Sequence, residues 1–175
     1  WNNFGYFKYD NMDEYAYTSN NFKTGEEETA LPSFVNYVDG IYVGYRFYET
    51  AAAEGLINYD DTVVYPFGYG LSYTTFTQEM GAISEDNGTI SFDVTVTNTG
   101  DVAGKDVVEV YYNPPYTNGG IEKASANLIQ FEKTEVLQPG DSQTITVSFD
   151  AEDMASYDTY GAGCYVLEAG DYQIS

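Results

Sequence analysis

Hydrophobic and polar positions alternate most strictly between Thr89 and Thr97, where Ile90, Phe92, Val94 and Val96 are separated by Ser91, Asp93 and Thr95. A period of two sends successive side chains to opposite faces of a strand, so one face is expected to meet a core and the other water. Asn87-Gly88 stands directly before this run, and that dipeptide suits a two-residue hairpin turn because both of its positions need positive φ. Further strands are expected over residues 105–112, 127–133 and 144–149, the last with Ile145, Val147 and Phe149 alternating again. Two short strand patterns, 165–167 and 172–175, flank a turn at Ala169-Gly170-Asp171. Asn98-Thr99-Gly100-Asp101 and Pro139-Gly140-Asp141 supply turn chemistry between the longer runs. Short strands separated by turns at near-regular intervals predict a mainly β chain whose second half is an antiparallel sandwich or barrel.

The first half reads differently. Residues 1–32 mix aromatics with acidic residues, including Asp10, Asp13, Glu14 and the run Glu26-Glu27-Glu28, and no period of 2 or 3.6 persists. An extended loop packed through its rings, with the acidic run solvated, is the expectation there. From Phe34 the pattern tightens, and Ile41, Val43, Tyr45 and Phe47 alternate with Tyr42, Gly44, Arg46 and Tyr48, which predicts a strand. Residues 50–54 are helix formers, and Gly55 can close a short helix from its C-cap side. Residues 63–76, VVYPFGYGLSYTTF, set Pro66, Gly68 and Gly70 among aromatics and predict a shaped loop joining the two parts.

Composition narrows the partners. Hydrophobic residues make up 43% of the 175 residues and aromatics 17%, enough to build a core and too many for intrinsic disorder. Six basic residues against 28 acidic ones give a net charge of −22, which repels phosphate backbones and anionic lipid, so neither nucleic acid nor membrane is an expected partner. No apolar run approaches the length of a membrane span, and a soluble chain is expected. The chain begins at Trp1 without a methionine and stops at Ile174-Ser175 inside a strand pattern, which reads as a piece cut from a longer protein and leaves its compartment open.

Candidate chemistry is sparse. There is no histidine, which removes Ser-His-Asp and Cys-His nucleophile pairs and imidazole zinc sites together. The single cysteine, Cys164, excludes an internal disulfide and is expected as a small, half-buried apolar side chain. Asp150, Glu152, Asp153 and Asp158 cluster in sequence, as do Asp60 and Asp61, but without the alternate ligands, central glycine and closing glutamate of an EF-hand they read as solvated turns rather than a metal site. Paired carboxylates of the glycosidase type are not singled out among so many acids. Phe92, Phe149 and Tyr112 fall on core positions; Tyr65, Tyr69 and Tyr73, in the irregular loop, are expected to pack as well, though their faces would also suit stacking on sugar rings. Asn87-Gly88-Thr89 matches a glycosylation acceptor, yet the hairpin turn is the preferred use of those residues.

Two motif sets carry a resemblance. The run 40–48, GIYVGYRFY, followed by 65–76, YPFGYGLSYTTF, resembles the closing segment of the α/β sandwich domain in glycoside hydrolase family 3, which includes β-glucosidases and β-xylosidases. Residues 94–100 with Ala103-Gly104, 108–111, 128–133, 137–140 and 168–172 are similar to the fibronectin type III-like domain that follows it in many members. The resemblance implies an organisation of residues 1–74 as the end of the α/β domain with an aromatic linker loop, and 75–175 as a fibronectin type III-like sandwich. It also implies a parent enzyme that hydrolyses β-glycosidic bonds with retention, through a nucleophilic Asp and an acid/base Glu. Neither is expected in this chain: the family's nucleophile lies in a Ser-Asp dipeptide on a (β/α)8 barrel and no Asp here follows a Ser, while its sugar-binding Lys-His pair needs a histidine. The acid/base Glu belongs to an earlier part of the α/β domain. No catalytic residue, metal or cofactor is therefore assigned, and the substrate-binding residues stay undetermined. The expected partners are the barrel and the rest of the α/β domain, with a β-linked oligosaccharide as the parent's substrate and the sandwich as scaffold. The alternative is a freestanding carbohydrate-binding or adhesion module using exposed tyrosines.

Overall fold

The computed structural model describes residues 40–175; the expectations for the N-terminal aromatic stretch and for the acidic run at Glu26-Glu27-Glu28, and the first residues of the pattern that starts at Phe34, lie outside them. Gly44–Ser175 forms one compact unit. Its long strands are set by the alternating runs. β1 (Phe76–Met80), β2 (Ser84–Asp86), β3 (Thr89–Asn98) and β6 (Ser142–Asp150) make a four-stranded antiparallel sheet in which β3 is paired by β1 and β2 along one edge and by β6 along the other. β4 (Val107–Asn113) lies between β5 (Asn127–Lys133) and β9 (Gln173–Ile174) in a three-stranded sheet, and β7 (Ser156–Tyr157) with β8 (Tyr165–Val166) forms a small hairpin.

The core is the inward face of these runs. Phe92 pairs across to Val147 and Val94 to Ile145, and with Val96, Val108, Val110 and Phe149 they form a buried cluster. Val96 is wholly inaccessible, at 0% exposure. On the opposite face the same strands pair hydroxyls: Thr97 with Ser142 at 2.7 Å and Thr95 with Thr144 at 3.3 Å. Burial of one β-branched or aromatic face against a second sheet is the main stabilising term, at about 25 cal/mol for each Å² of apolar surface removed from water.

Turn chemistry falls where the residues place it. Asn87 at φ 52° and Gly88 at φ 87° fill a two-residue hairpin whose flanking residues, Asp86 and Thr89, are paired. At Pro139-Gly140-Asp141, Gly140 takes φ 83° and the Asp141 N–H donates to the Gln138 carbonyl at 2.9 Å.

Several expectations are corrected. The strand read from Ile41, Val43, Tyr45 and Phe47 does not form: Ile41 and Val43 lie in irregular chain, and Tyr45 and Phe47 begin an α-helix, α1 (Tyr45–Ala53), preceded by Gly44 at φ 62°. The alanines of its second half propagate a helix that the aromatic alternation alone would not, and a nine-residue helix in water is marginal, so its packing on the rest of the unit decides the outcome. Gly55 does close it as expected: the Leu56 N–H reaches the Ala51 carbonyl at 2.8 Å and the Gly55 N–H the Ala52 carbonyl at 3.0 Å, the paired bonds of a Schellman ending. A second short helix, α2 (Tyr59–Thr62), and the strand β1 carry no clear signal in the sequence. Cys164 is exposed rather than half-buried, because it lies in the loop joining β7 to β8 and no second layer covers it. Asn98 opens the expected turn as the last residue of β3, its Oδ1 accepting the Gly100 N–H at 3.1 Å, and it is fully buried.

Candidate functional site

The loop between α2 and β1 is where the chain breaks the rule that governs its strands. Among residues 64–73, Leu71 is 91% exposed and Tyr73 fully exposed at 100%. Val64, Tyr65, Phe67 and Tyr69 are also classed with the exposed large hydrophobics. Tyr65 and Tyr69 do stack on each other, with ring centroids 4.9 Å apart, but the expectation that all the loop's tyrosines pack fails for Tyr73. Pro66 and Gly68 shape the segment as their conformations require: the Tyr69 N–H closes a turn onto the Pro66 carbonyl at 3.1 Å, with Gly68 at φ 78°.

The loop rests on a defined seat. Gly68 passes so close to Glu109 of β4 that a Cβ there would lie 2.7 Å from the carboxylate Oε1. Glu109 in turn accepts a 2.7 Å hydrogen bond from the Tyr111 hydroxyl. The Phe67 ring lies 4.6 Å from that of Tyr45 on α1, and Tyr45 meets Tyr111 edge-on at 5.9 Å. α1 is itself tied to the segment leading into β5: the Leu128 N–H donates to the Tyr45 hydroxyl at 2.8 Å and the Ser125 N–H to Thr50 Oγ1 at 2.9 Å. An open cleft of about 560 Å³ runs between the loop and the strands, bordered by Gln78, Lys105, Asp106, Glu109 and Lys133.

Below the loop, the entry into β1 is locked by buried polar groups. The Thr74 hydroxyl donates to Asn98 Oδ1 at 2.7 Å, while Asn98 Nδ2 donates to the carbonyls of Leu137 at 2.9 Å and Val102 at 2.8 Å. The Gly100 N–H adds a bond to the same Oδ1 at 3.1 Å. Buried amides must satisfy both ends, and Asn98 does so by joining the linker to the turn after β3 and to Leu137. Gly104 is required here, since a Cβ would stand 2.7 Å from Thr74 Cγ2 and 3.2 Å from the Phe76 ring. A buried asparagine at the end of an alternating run is the one sequence signal that points to this lock, and it is masked by the residue's preference for turns.

The electrostatics favour hydrogen bonding over proton transfer. Burial pushes the Tyr111 phenol well above its ordinary range, and the adjacent Glu109 carboxylate adds to this, so the hydroxyl stays a donor. Tyr59 is pushed up to about 12, first by burial and then by Glu49. The acidic residues singled out as possible calcium ligands do not gather: among the described residues no group of three His, Cys, Asp or Glu side chains comes together. Asp150 accepts from the Thr89 hydroxyl at 3.0 Å, and Asp158 caps backbone N–H groups of its own loop.

The fold has close relatives. Residues 106–175 match the fibronectin type III-like domain model. β-Glucosidase A of Butyrivibrio fibrisolvens is 40% identical over 157 residues, a match covering 79% of this chain and 18% of that protein. The crystal structure of a β-glucosidase from Paenibacillus barengoltzii superposes with a TM-score of 0.69 at 40% identity, covering 93% of this chain and 17% of its own. A glycoside hydrolase family 3 β-glucosidase from Bifidobacterium adolescentis superposes with a TM-score of 0.68 at 33% identity, covering 82% and 20% respectively. The chain thus spans less than a fifth of the length of the curated relatives it matches. It is similar to one part of the family 3 β-glucosidases, and the match to the fibronectin type III-like domain spans its residues 106–175.

Proposed function

We propose that this chain is a non-catalytic portion of a family 3 glycoside hydrolase that cleaves β-glucosides with retention, and that it acts as a scaffold for chemistry carried by the rest of the protein. Residues 1–74 are assigned to the end of the α/β domain and 75–175 to the sandwich. The observation that carries this reading is the contrast between a closed sandwich core and a ten-residue loop whose large apolar side chains, Leu71 and Tyr73 above all, face outward. Monomeric surfaces rarely gather so many exposed apolar residues in one short segment unless something covers them. The loop's occupant in this reading is the remainder of the α/β domain, and the Thr74–Asn98 lock holds the sandwich at a fixed angle behind it. The lack of a Ser-Asp dipeptide supports a nucleophile outside these residues, and the resemblance assigns the acid/base Glu to an earlier part of the α/β domain.

Hydrolysis of nitrophenyl β-glucoside tests the assignment. The whole protein containing this segment is expected to turn the substrate over, and the 175-residue chain alone is expected to be inactive. Turnover by the chain alone would overturn the reading, as would a whole protein without β-glycosidase activity.

A further inference from the structure

A second set of exposed aromatics lies away from the linker, on the β7–β8 hairpin. Tyr160, at the tip of the connecting loop, is 93% exposed. It is nonetheless held by a stiff frame. The Asp158 carboxylate accepts the Gly161 N–H at 2.8 Å and the Ala162 N–H at 2.7 Å, the Gly163 N–H returns to the Asp158 carbonyl at 2.9 Å, and the Tyr157 hydroxyl donates to the Gly163 carbonyl at 3.0 Å. Tyr157 and Tyr165 meet edge-on at 5.3 Å and brace the base of the hairpin. The fold thus fixes the loop that carries Tyr160 and leaves its ring in water.

That loop forms one wall of a cleft of about 570 Å³ whose other wall is the turn at residues 119–122. The second wall is anchored too: the side chain of Lys123, next in sequence, is buried, donating to the Pro115 carbonyl at 2.5 Å and pairing with Glu168. The size is that of a small-ligand site, and the lining mixes the tyrosine rings with the Thr159 hydroxyl and the carboxylates of Glu122 and Glu168. A carboxylate has about four acceptor positions, so Glu168 keeps acceptors beyond the one Lys123 takes. No Lys or Arg lines the cleft.

We propose that this cleft is an accessory binding subsite for a neutral β-linked glucan, with Tyr160 as the stacking face and Glu122 and Glu168 accepting hydrogen bonds from sugar hydroxyls. A pyranose presents apolar C–H groups on its faces and donors around its rim, which this combination of ring and carboxylates complements. Glu122 adds a second carboxylate beside the Lys123–Glu168 pair, and on a chain of net charge −22 this excess of acid repels polymers of uronic acids, so the ligand is neutral. The rigid loop reduces the ordering cost of binding, which suits a weak site on a surface. The choice of a β-linked glucan rests on the glucosidase reading above; the aromatic and carboxylate geometry does not.

Affinity electrophoresis of the 175-residue chain in gels containing soluble mixed-linkage β-glucan, polygalacturonate or no polysaccharide tests the subsite. Retardation is expected with the glucan alone. Tyr160→Ala should weaken it by roughly two- to tenfold, the span of an aromatic contact, while Tyr160→Phe should retain it. Near-UV circular dichroism would confirm that both variants keep the native packing, as expected for so exposed a residue. An unretarded native chain, equal retardation by polygalacturonate, or a Tyr160→Ala chain retarded like the native one would each overturn the subsite. The glucosidase reading is tested separately by hydrolysis in the whole protein: failure of the subsite leaves that reading standing, while failure of that reading removes the choice of a β-linked glucan and leaves only the ring-and-carboxylate geometry.

Discussion

The sandwich and the linker loop are built from the same kinds of residue and treat them in opposite ways. In β3 and β6 the apolar residues alternate with polar ones, and Ile90, Phe92 and Val94 pair with Phe149, Val147 and Ile145. In residues 64–73 Val64, Leu71 and Tyr73 are as hydrophobic, yet they follow no period and stay exposed. Hydrophobicity sets how much is gained by burial; periodicity and a facing surface decide whether burial happens inside this chain. The difference teaches that an exposed apolar segment beside a complete core marks a surface awaiting a neighbour rather than a defect of folding.

Three substitutions probe that contrast in the isolated chain, each read by urea unfolding followed through tyrosine fluorescence. The largest effect is expected for Phe92→Ala, which empties a position at the centre of the sandwich and should cost about 3–5 kcal/mol; a loss below 1 kcal/mol would mean that the two sheets are not closed on one another. Asn98→Ala comes next. It removes the acceptor for Thr74 and the donor for the Leu137 and Val102 carbonyls, and a cost of about 1–3 kcal/mol is expected for each group left buried without a partner. A neutral result would show that the linker is not locked to the sandwich through this side chain. Tyr73→Ser should change stability by less than about 0.5 kcal/mol, the usual range for a surface position. The same substitution in the whole protein is expected to cost more, and equal, negligible effects in both contexts would remove the loop from the proposed interface.

Much of the sandwich was legible beforehand because its information is local. Alternation in residues 89–97 and 144–149 identifies two strands and their inward faces, and Asn87-Gly88 identifies a turn whose handedness only those residues accept readily. The family resemblance was legible for the same reason, since the turn glycines and strand motifs it uses stand at fixed spacing. The helix α1 was missed because GIYVGYRFY alternates on paper as a strand would, while the deciding contacts, Tyr45 and Thr50 against Leu128 and Ser125, lie some 75 to 83 positions away in sequence. The turn at Asn98 is legible in the sequence, but only the convergence of Thr74, Val102 and Leu137 shows that its amide is also buried and fully paired. At the β7–β8 hairpin the sequence shows Asp158 only as one of a cluster of acids, and the bonds from Gly161 and Ala162 to its carboxylate emerge only from the fold.

By itself the sequence determined the class of fold, the strand faces, the tight turns and the chemistry that is missing, because period, φ preference and the lack of histidine are properties of neighbouring residues or of composition. Tertiary structure decided the helix, the buried amide lock and which tyrosines are covered. Those outcomes depend on surfaces brought together from distant parts of the chain, where the free energy of desolvating or pairing a group outweighs its local preference.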